Sequence, residues 1–341
     1  MSSAHSAGDQ RFHADLLRTG SVEVVQLRDE MADLQVSIVP SRGNIAYELL
    51  HGGTDWLWTP FENPIEEMNG ANALFGIPLL SPWANRLSSD TYSIHGVEYT
   101  LNRRINNLRV DHNYLAIHGL VMFAPWTVTD MGADAYGAYV RSTLNFTKHC
   151  DWMAQFPFAH RLELTHRISD GKLCLILSLT NDSAEPMPIC VGFHPYFKLP
   201  DLANRRMWQI GCAARKRMLL SDRYIPTGET EPFSPQEPLR LNEGATIDNV
   251  YTDLQRDGSD CATFLLADGR NTLRVGFGPK FSVAVIYAPA DKHFVCFEPM
   301  TAPTDALHLA PAGLYQGLQY VAPGETWTEH FWIKPEARTT V

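Results

Sequence analysis

The sequence predicts an all-β fold: a large antiparallel β-sandwich with few short helices. Three observations carry that reading. The dominant hydrophobic period is two. In His160–Ile168, residues Leu162, Leu164, His166 and Ile168 fall on one face and Arg161, Glu163, Thr165 and Arg167 on the other. Lys172–Thr180 repeats the pattern with Leu173, Leu175, Leu177 and Leu179, and Asp170-Gly171 between the two segments is a dipeptide that tight hairpins favour. Finally, 23 Gly and 22 Pro punctuate the whole chain of 341 residues instead of gathering in a linker.

In chain order, strands are expected at Val22–Leu27, Leu34–Pro40, Tyr92–Ile94, Val97–Leu101, Ala138–Phe146 and Pro188–Phe193. More are expected at Ala262–Leu266, Thr272–Phe277, Phe281–Ala288, Phe294–Phe297, Gly313–Val321 and Thr326–Ile333. The one helical expectation is a short helix within Asn63–Asn72, where Pro64 suits the first turn. No repeat of propeller length stands out. The expected organisation is one domain over residues 12–335, with loose tails at 1–11 and 336–341.

Composition excludes several function classes. The chain has 28 basic and 38 acidic side chains, a net charge of −10, so it lacks the basic balance of a nucleic-acid binder. With 45% hydrophobic and 19% charged residues it is too apolar to be disordered. No run approaches the roughly 18 apolar residues of a membrane helix. Met1–Asp15 carries no basic segment followed by an apolar run, so a cytoplasmic location is expected. The six cysteines are scattered without a C-x-x-C pair, which reads as reduced thiols. The 13 histidines show no tight ligand spacing, so no metal is expected, and nucleotide-binding glycine motifs are absent.

Five segments stand out chemically. Ser81-Pro82-Trp83-Ala84-Asn85-Arg86 ends an apolar stretch with a donor fork suited to hydroxyls or carboxylates, although on this local pattern alone a plain surface ion pair is the simpler reading of Arg86. Leu115-Ala116-Ile117-His118-Gly119 sets a His at a strand end before a Gly that admits close approach of a ligand or another backbone. His95-Gly96 looks similar but reads more simply as a hairpin turn. In Val191-Gly192-Phe193-His194-Pro195, the proline holds His194 extended, with Cys190, Gly192 and His194 on one face and room beside the ring at Gly192. Asp248-Asn249 reads as a turn pair. In His293–Met300, Phe294, Cys296 and Glu298 share a face. A carboxylate among such neighbours must be paired or carry a raised pKa, the property a general base near pH 7 needs.

Taken in order, Asn85-Arg86, His118-Gly119, His194-x-Tyr196-Phe197-x-Leu199, Asp248 and Cys296-x-Glu298-Pro299-x-Thr301 resemble the aldose 1-epimerase (galactose mutarotase-like) family over roughly residues 20–333. Pro226-Thr227-Gly228-Glu229 also resembles that family's segment before the Asp. The resemblance implies a supersandwich of curved sheets around an open sugar cleft. It implies Glu298 as general base on the sugar C1 hydroxyl and His194 as general acid on the ring oxygen. Asn85, Arg86, His118 and Asp248 would bind the sugar, with no cofactor needed. The expected partner is a small-molecule sugar and the expected assembly a monomer or homodimer.

Trp83, Trp126 and Tyr196 are expected as flat surfaces for sugar C–H faces. Phe193, Lys198 and Met300 depart from the galactose-type pattern, which leaves the sugar open. The basic clusters Arg103-Arg104, Arg205-Arg206 and Arg215-Lys216-Arg217 suggest an alternative, a hexose-6-phosphate 1-epimerase, though solvated loop charge is their simpler reading. Two further readings stand beside these. One is a non-catalytic sugar-binding module of the same fold; the other is a glycoside hydrolase pairing Glu298 with Asp248.

Overall fold

The computed structural model describes residues 11–68, 71–199, 205–234, 238–241, 244 and 246–337. Of the tails expected at 1–11 and 336–341, residues 1–10 and 338–341 lie outside the described residues. Arg11, placed in the N-terminal tail, is ion-paired to the buried Asp29 at 2.8 Å and leads into the strand Phe12–Thr19. At the other end the last strand continues to Ala337, past the expected boundary at 335.

Antiparallel strands dominate. A nine-stranded sheet contains the hairpin foreseen around Asp170-Gly171. Both turn residues have positive φ, 51° and 67°, which lets the ladder run from Ser169↔Lys172 to His160↔Asn181. Its buried face is the one the alternation named, Leu162, Leu164, His166 and Ile168 opposite Leu173, Leu175, Leu177 and Leu179. An eight-stranded sheet packs across it. Phe264 and Phe297 meet with ring centroids 5.8 Å apart, and Phe193 and Phe331 at 4.8 Å, so one hydrophobic core is shared between the two sheets. A five-stranded sheet, formed from Phe12 to Asp55, closes one side.

Among the described residues the α-helices are three single turns, and the expected one narrows to Pro64–Glu67 with Pro at its start. Gly313–Val321 shrinks to a strand at Gln319–Val321. Several strands escaped the periodicity: Phe12–Thr19, Ile45–His51, Thr127–Asp134, Ala214–Leu220, Pro226–Pro232 and Ile247–Leu254. Most of these have one half-exposed, charged or proline-bearing side, so alternation is broken where a strand lines a cleft or a sheet edge. No helix among the described residues is long and apolar enough to cross a membrane.

The strand Phe294–Met300 shows how the fold sets up chemistry. It is buried throughout, and its side chains alternate. Val295 and Phe297 enter the shared core, while Phe294 and Cys296 join a separate cluster with Tyr196 on the outer face. Glu298 shares that outer face and lines the cleft there.

Candidate active site

The outer face of the eight-stranded sheet carries a cavity of about 380 Å³. All six residues singled out for a site line it: Asn85, Arg86, His118, His194, Asp248 and Glu298.

Strand register brings the two central groups together. Gly192 pairs with Met300 and Tyr196 with Cys296, which leaves His194 directly opposite Glu298. Pro195 has no N–H to give the ladder, so pairing is interrupted at His194-Pro195. The His194 N–H turns to Pro78 O at 3.0 Å, and its Nε2 stands 3.3 Å from Glu298 Oε1. The imidazole is stacked on Tyr196, centroids 4.5 Å apart and planes within 8°.

Gly192 is needed here, though not for the expected reason. A Cβ there would sit 2.8 Å from Pro299 O and 2.9 Å from Met300 Cγ, so the space it frees belongs to the neighbouring strand, not to the His194 ring.

Glu298 is only 2% exposed, its Oε2 has no hydrogen-bond partner, and no Lys or Arg is paired with it among the described residues. Burial, and then the charge of Asp248, push its pKa well above the usual carboxylate value, against a smaller opposite pull from Arg86. Burial pushes His194 down to about 3, with Arg109 and Arg86 acting in the same direction. The imidazole is therefore held neutral, and the carboxyl group beside it gives up its proton only above the ordinary carboxylate range.

His118 lies across the cavity, its ring 5.3 Å from that of His194 in an edge-to-face arrangement. Its Nδ1 accepts the Asn85 N–H at 3.3 Å, and the His118 N–H returns a bond to Asn85 O at 3.0 Å. With Nδ1 accepting, the neutral ring carries its proton on Nε2 as a fixed donor. Burial, followed by the charge of His194, holds His118 well below its usual pKa.

Both Asn85 and His118 have positive φ, 60° and 66°, and so does Gly119 at 68°. A Cβ on Gly119 would fall 2.1 Å from Ser81 O, so close backbone approach is what this glycine provides. Gly119→Ala is expected to cost about 1–2 kcal/mol from the left-handed backbone alone, plus the clash. A drop in thermal midpoint together with lowered activity, as the His118 turn is displaced, checks it; a variant with wild-type stability contradicts it.

Arg86 is paired after all, but inside the cavity. Its Nε donates to Asp111 Oδ2 at 2.8 Å and its Nη1 to Asn85 Oδ1 at 3.0 Å. The Asp111 carboxyl is fixed in turn by the N–H groups of Asn113 and Leu115, both at 2.9 Å. Asp305, 3% exposed, holds the turn from behind: its N–H donates to Arg86 O at 3.0 Å and its Oδ1 accepts the Ser88 N–H at 2.8 Å. Asp248 belongs to the strand Ile247–Leu254, opposite Tyr287, and is not in a turn. Burial raises its pKa, with Arg86 and His112 opposing.

Sequence reasoning missed Arg109, Asp111, His112, Tyr224 and Tyr287, which also line the cavity. Two expected sugar platforms are corrected. Trp83 and Trp126, 1% and 5% exposed, are packed in the shared core; Tyr196 does line the cleft. The basic clusters are mostly engaged elsewhere. Arg103 is paired with Asp90, Arg205 donates to the carbonyls of Lys292 and Ala288, and Arg215 and Arg217 are paired with Asp253 and Glu231.

The chain is 24% identical over 286 residues to the uncharacterised YphB protein of Escherichia coli K12, covering 82% of this chain and 89% of that one. The crystal structure of a galactose mutarotase-like protein from Clostridium acetobutylicum superimposes with a TM-score of 0.83 at 20% identity, over 96% of this chain and 99% of the other. Galactose 1-epimerase from Lactobacillus acidophilus NCFM gives 0.72 at 15% identity, over 96% and 99%. At these identities the two structures speak for the fold, a galactose mutarotase-like sandwich. The family model for aldose 1-epimerase matches residues 23–334, and the chain therefore belongs to the aldose 1-epimerase family.

Proposed function

We propose that the chain interconverts the α and β anomers of an aldohexose, with Glu298 as base and His194 as acid. The observation that carries this reading is a buried carboxyl group with no Lys or Arg partner among the described residues, 3.3 Å from a buried neutral imidazole in a polar cavity. A structural ion pair would not leave Glu298 Oε2 unsatisfied.

In the forward direction Glu298 takes the proton of the C1 hydroxyl, the C1–ring-oxygen bond breaks, and the ring oxygen takes a proton from His194. The product is the open aldehyde. Rotation about C1–C2 by about half a turn presents the other carbonyl face, and the two proton transfers run backwards on closure. Because His194 is held neutral, its donor is an imidazole N–H, a role a neutral ring can serve when its pKa is held down. His118, with Nε2–H, and Arg86 would steady charge on the ring oxygen, while Asp248 and Asn85 would hold hydroxyls. No cofactor enters this balance, and a cytoplasmic location fits it.

One observation favours the hexose-6-phosphate alternative. Arg109 lines the cleft, donates to Asn72 O and Oδ1, and has no carboxylate partner among the described residues. The test is NMR exchange between anomers of glucose, galactose, other aldoses and glucose 6-phosphate, with and without the protein. Acceleration of at least one is expected. Sugar binding by calorimetry with no exchange would instead favour a non-catalytic binding module.

A further inference from the structure

The strand Ala214–Leu220 pairs with Ile247–Leu254 only from Ala214↔Leu254 to Arg217↔Tyr251. Beyond that point Ile247–Tyr251 stays with its other neighbour, Ala284–Ala288. The strand Ala214–Leu220 meanwhile shifts register between Met218 and Leu220 against Pro226–Pro232. The two strands diverge, and a second cavity of about 490 Å³ opens between Met218–Asp222 and Asp248-Asn249.

This cavity adjoins the first, since Asp248 and Tyr224 line both. Tyr224 stands at the tip of a turn closed by Ser221 N–H to Ile225 O at 2.8 Å, with Arg86 Cζ 5.1 Å from its ring. Ser221, Asp222 and Asn249 give the second cavity hydroxyl, carboxylate and amide groups. Among the described residues the Asn249 amide makes one long hydrogen bond, donating to Tyr251 Oη at 3.4 Å. Its charged lining is one cation, Arg217, already paired with Glu231, against Asp222, Glu231 and Asp248, an excess that repels a phosphate or carboxylate.

We infer that this second cavity is a subsite for a second sugar ring, so that the preferred substrate is a reducing disaccharide. The free anomeric carbon lies at Glu298 and His194, and the glycosylated hydroxyl passes Asp248 and Tyr224. The inference rests on the anomer-exchange reading for where C1 sits. It also rests on volume and chemistry: the second space, about 490 Å³, is of the same order as the cleft, and its hydroxyl, amide and carboxylate groups offer the hydrogen bonds that a hydroxyl-rich ring needs.

The test compares glucose with (1→3)-, (1→4)- and (1→6)-linked reducing disaccharides, by anomer exchange and by calorimetry. At least one disaccharide is expected to show about tenfold higher kcat/KM and affinity than glucose, about 1.4 kcal/mol. Leu219→Trp, which fills the second cavity, is expected to lower the disaccharide-to-glucose ratio about tenfold. Asn249→Ala gives a second reading of the same ratio if the Trp variant does not fold. Disaccharides no better than glucose, or variants that leave the ratio unmoved, overturn the subsite. Tenfold tighter disaccharide binding, reversed by the variants but without exchange of any anomer, overturns the Glu298–His194 chemistry and keeps the subsite.

Discussion

Glu298→Gln is expected to lower anomer exchange by about 10²–10⁴-fold, the usual worth of a positioned acid–base group. The amide keeps the shape of the side chain and its place on the strand Phe294–Met300, so KM should change far less than kcat. Retention of more than a tenth of the wild-type rate would remove Glu298 from the chemistry. The pH profile makes a sharper demand. Exchange needs the carboxylate form, and burial together with Asp248 raises the pKa of Glu298 well above 4.5. Activity should therefore rise with pH along a limb lying above the ordinary glutamate range, and Asp248→Asn, by removing that negative neighbour, should move the limb to lower pH.

The same group leaves a trace in stability. A folded pKa above the unfolded one means that the native state prefers the protonated acid. The contribution is present at low pH and lost as pH rises through the folded value. The Gln variant never has to ionise. Its thermal midpoint should exceed that of the wild type at pH 8, and the gap should close toward pH 5. A site that loses rate and gains stability from one substitution is one that holds a charge-forming group where packing alone would not place it.

How much of this was legible in the sequence depends on what each residue answers to. Alternation named the core faces of His160–Ile168 and Lys172–Thr180 because those strands are buried on one side. It also placed Phe294, Cys296 and Glu298 together, since period two needs no knowledge of partners. The pairing of His194 with Glu298 could not be read that way, because it is a property of register between segments a hundred residues apart. Trp83 and Trp126 were misplaced because aromatic character does not say which face of a sheet a ring joins. Tyr224 was overlooked because it belongs to an exposed turn with no period. Asp111 was missed for a related reason: its role is to hold Arg86, 25 positions away. The charge pattern Arg109-Val110-Asp111-His112 was the available hint.

Acid should unfold this protein at a pH well above the range where carboxylates alone would act. Four histidines are held neutral by burial: His166 and His194, each pushed down to about 3, His160 at about 4, and His118 well below its usual value. Their folded pKa values are depressed, so the stability tied to the neutral rings is present above the unfolded value near 6.5 and is lost as pH falls below it. Glu298, Asp248, Asp55 and His308, whose folded pKa values are raised, offset part of the difference. Each net proton taken up by the unfolded chain corresponds to about 1.4 kcal/mol per pH unit below 6.5. Two such protons over two pH units remove about 5–6 kcal/mol, which is the whole of a stability at the lower end of about 5–15 kcal/mol.

His166 isolates the effect. It sits among Leu162, Leu164 and Ile168 on the core face, fully buried, with neither ring nitrogen hydrogen-bonded. His166→Leu removes one of the four protonation costs and two unsatisfied nitrogens without touching the cleft. Its thermal midpoint should exceed that of the wild type at every pH. The margin at pH 5 should exceed that at pH 8 by about 2 kcal/mol, the cost of 1.5 pH units for one histidine. A margin that does not vary with pH would show that His166 is not a source of the acid lability. Anomer exchange by this variant at pH 8 should match the wild type, because the ring lies in the core beneath the nine-stranded sheet, away from the carboxyl and imidazole that exchange the protons.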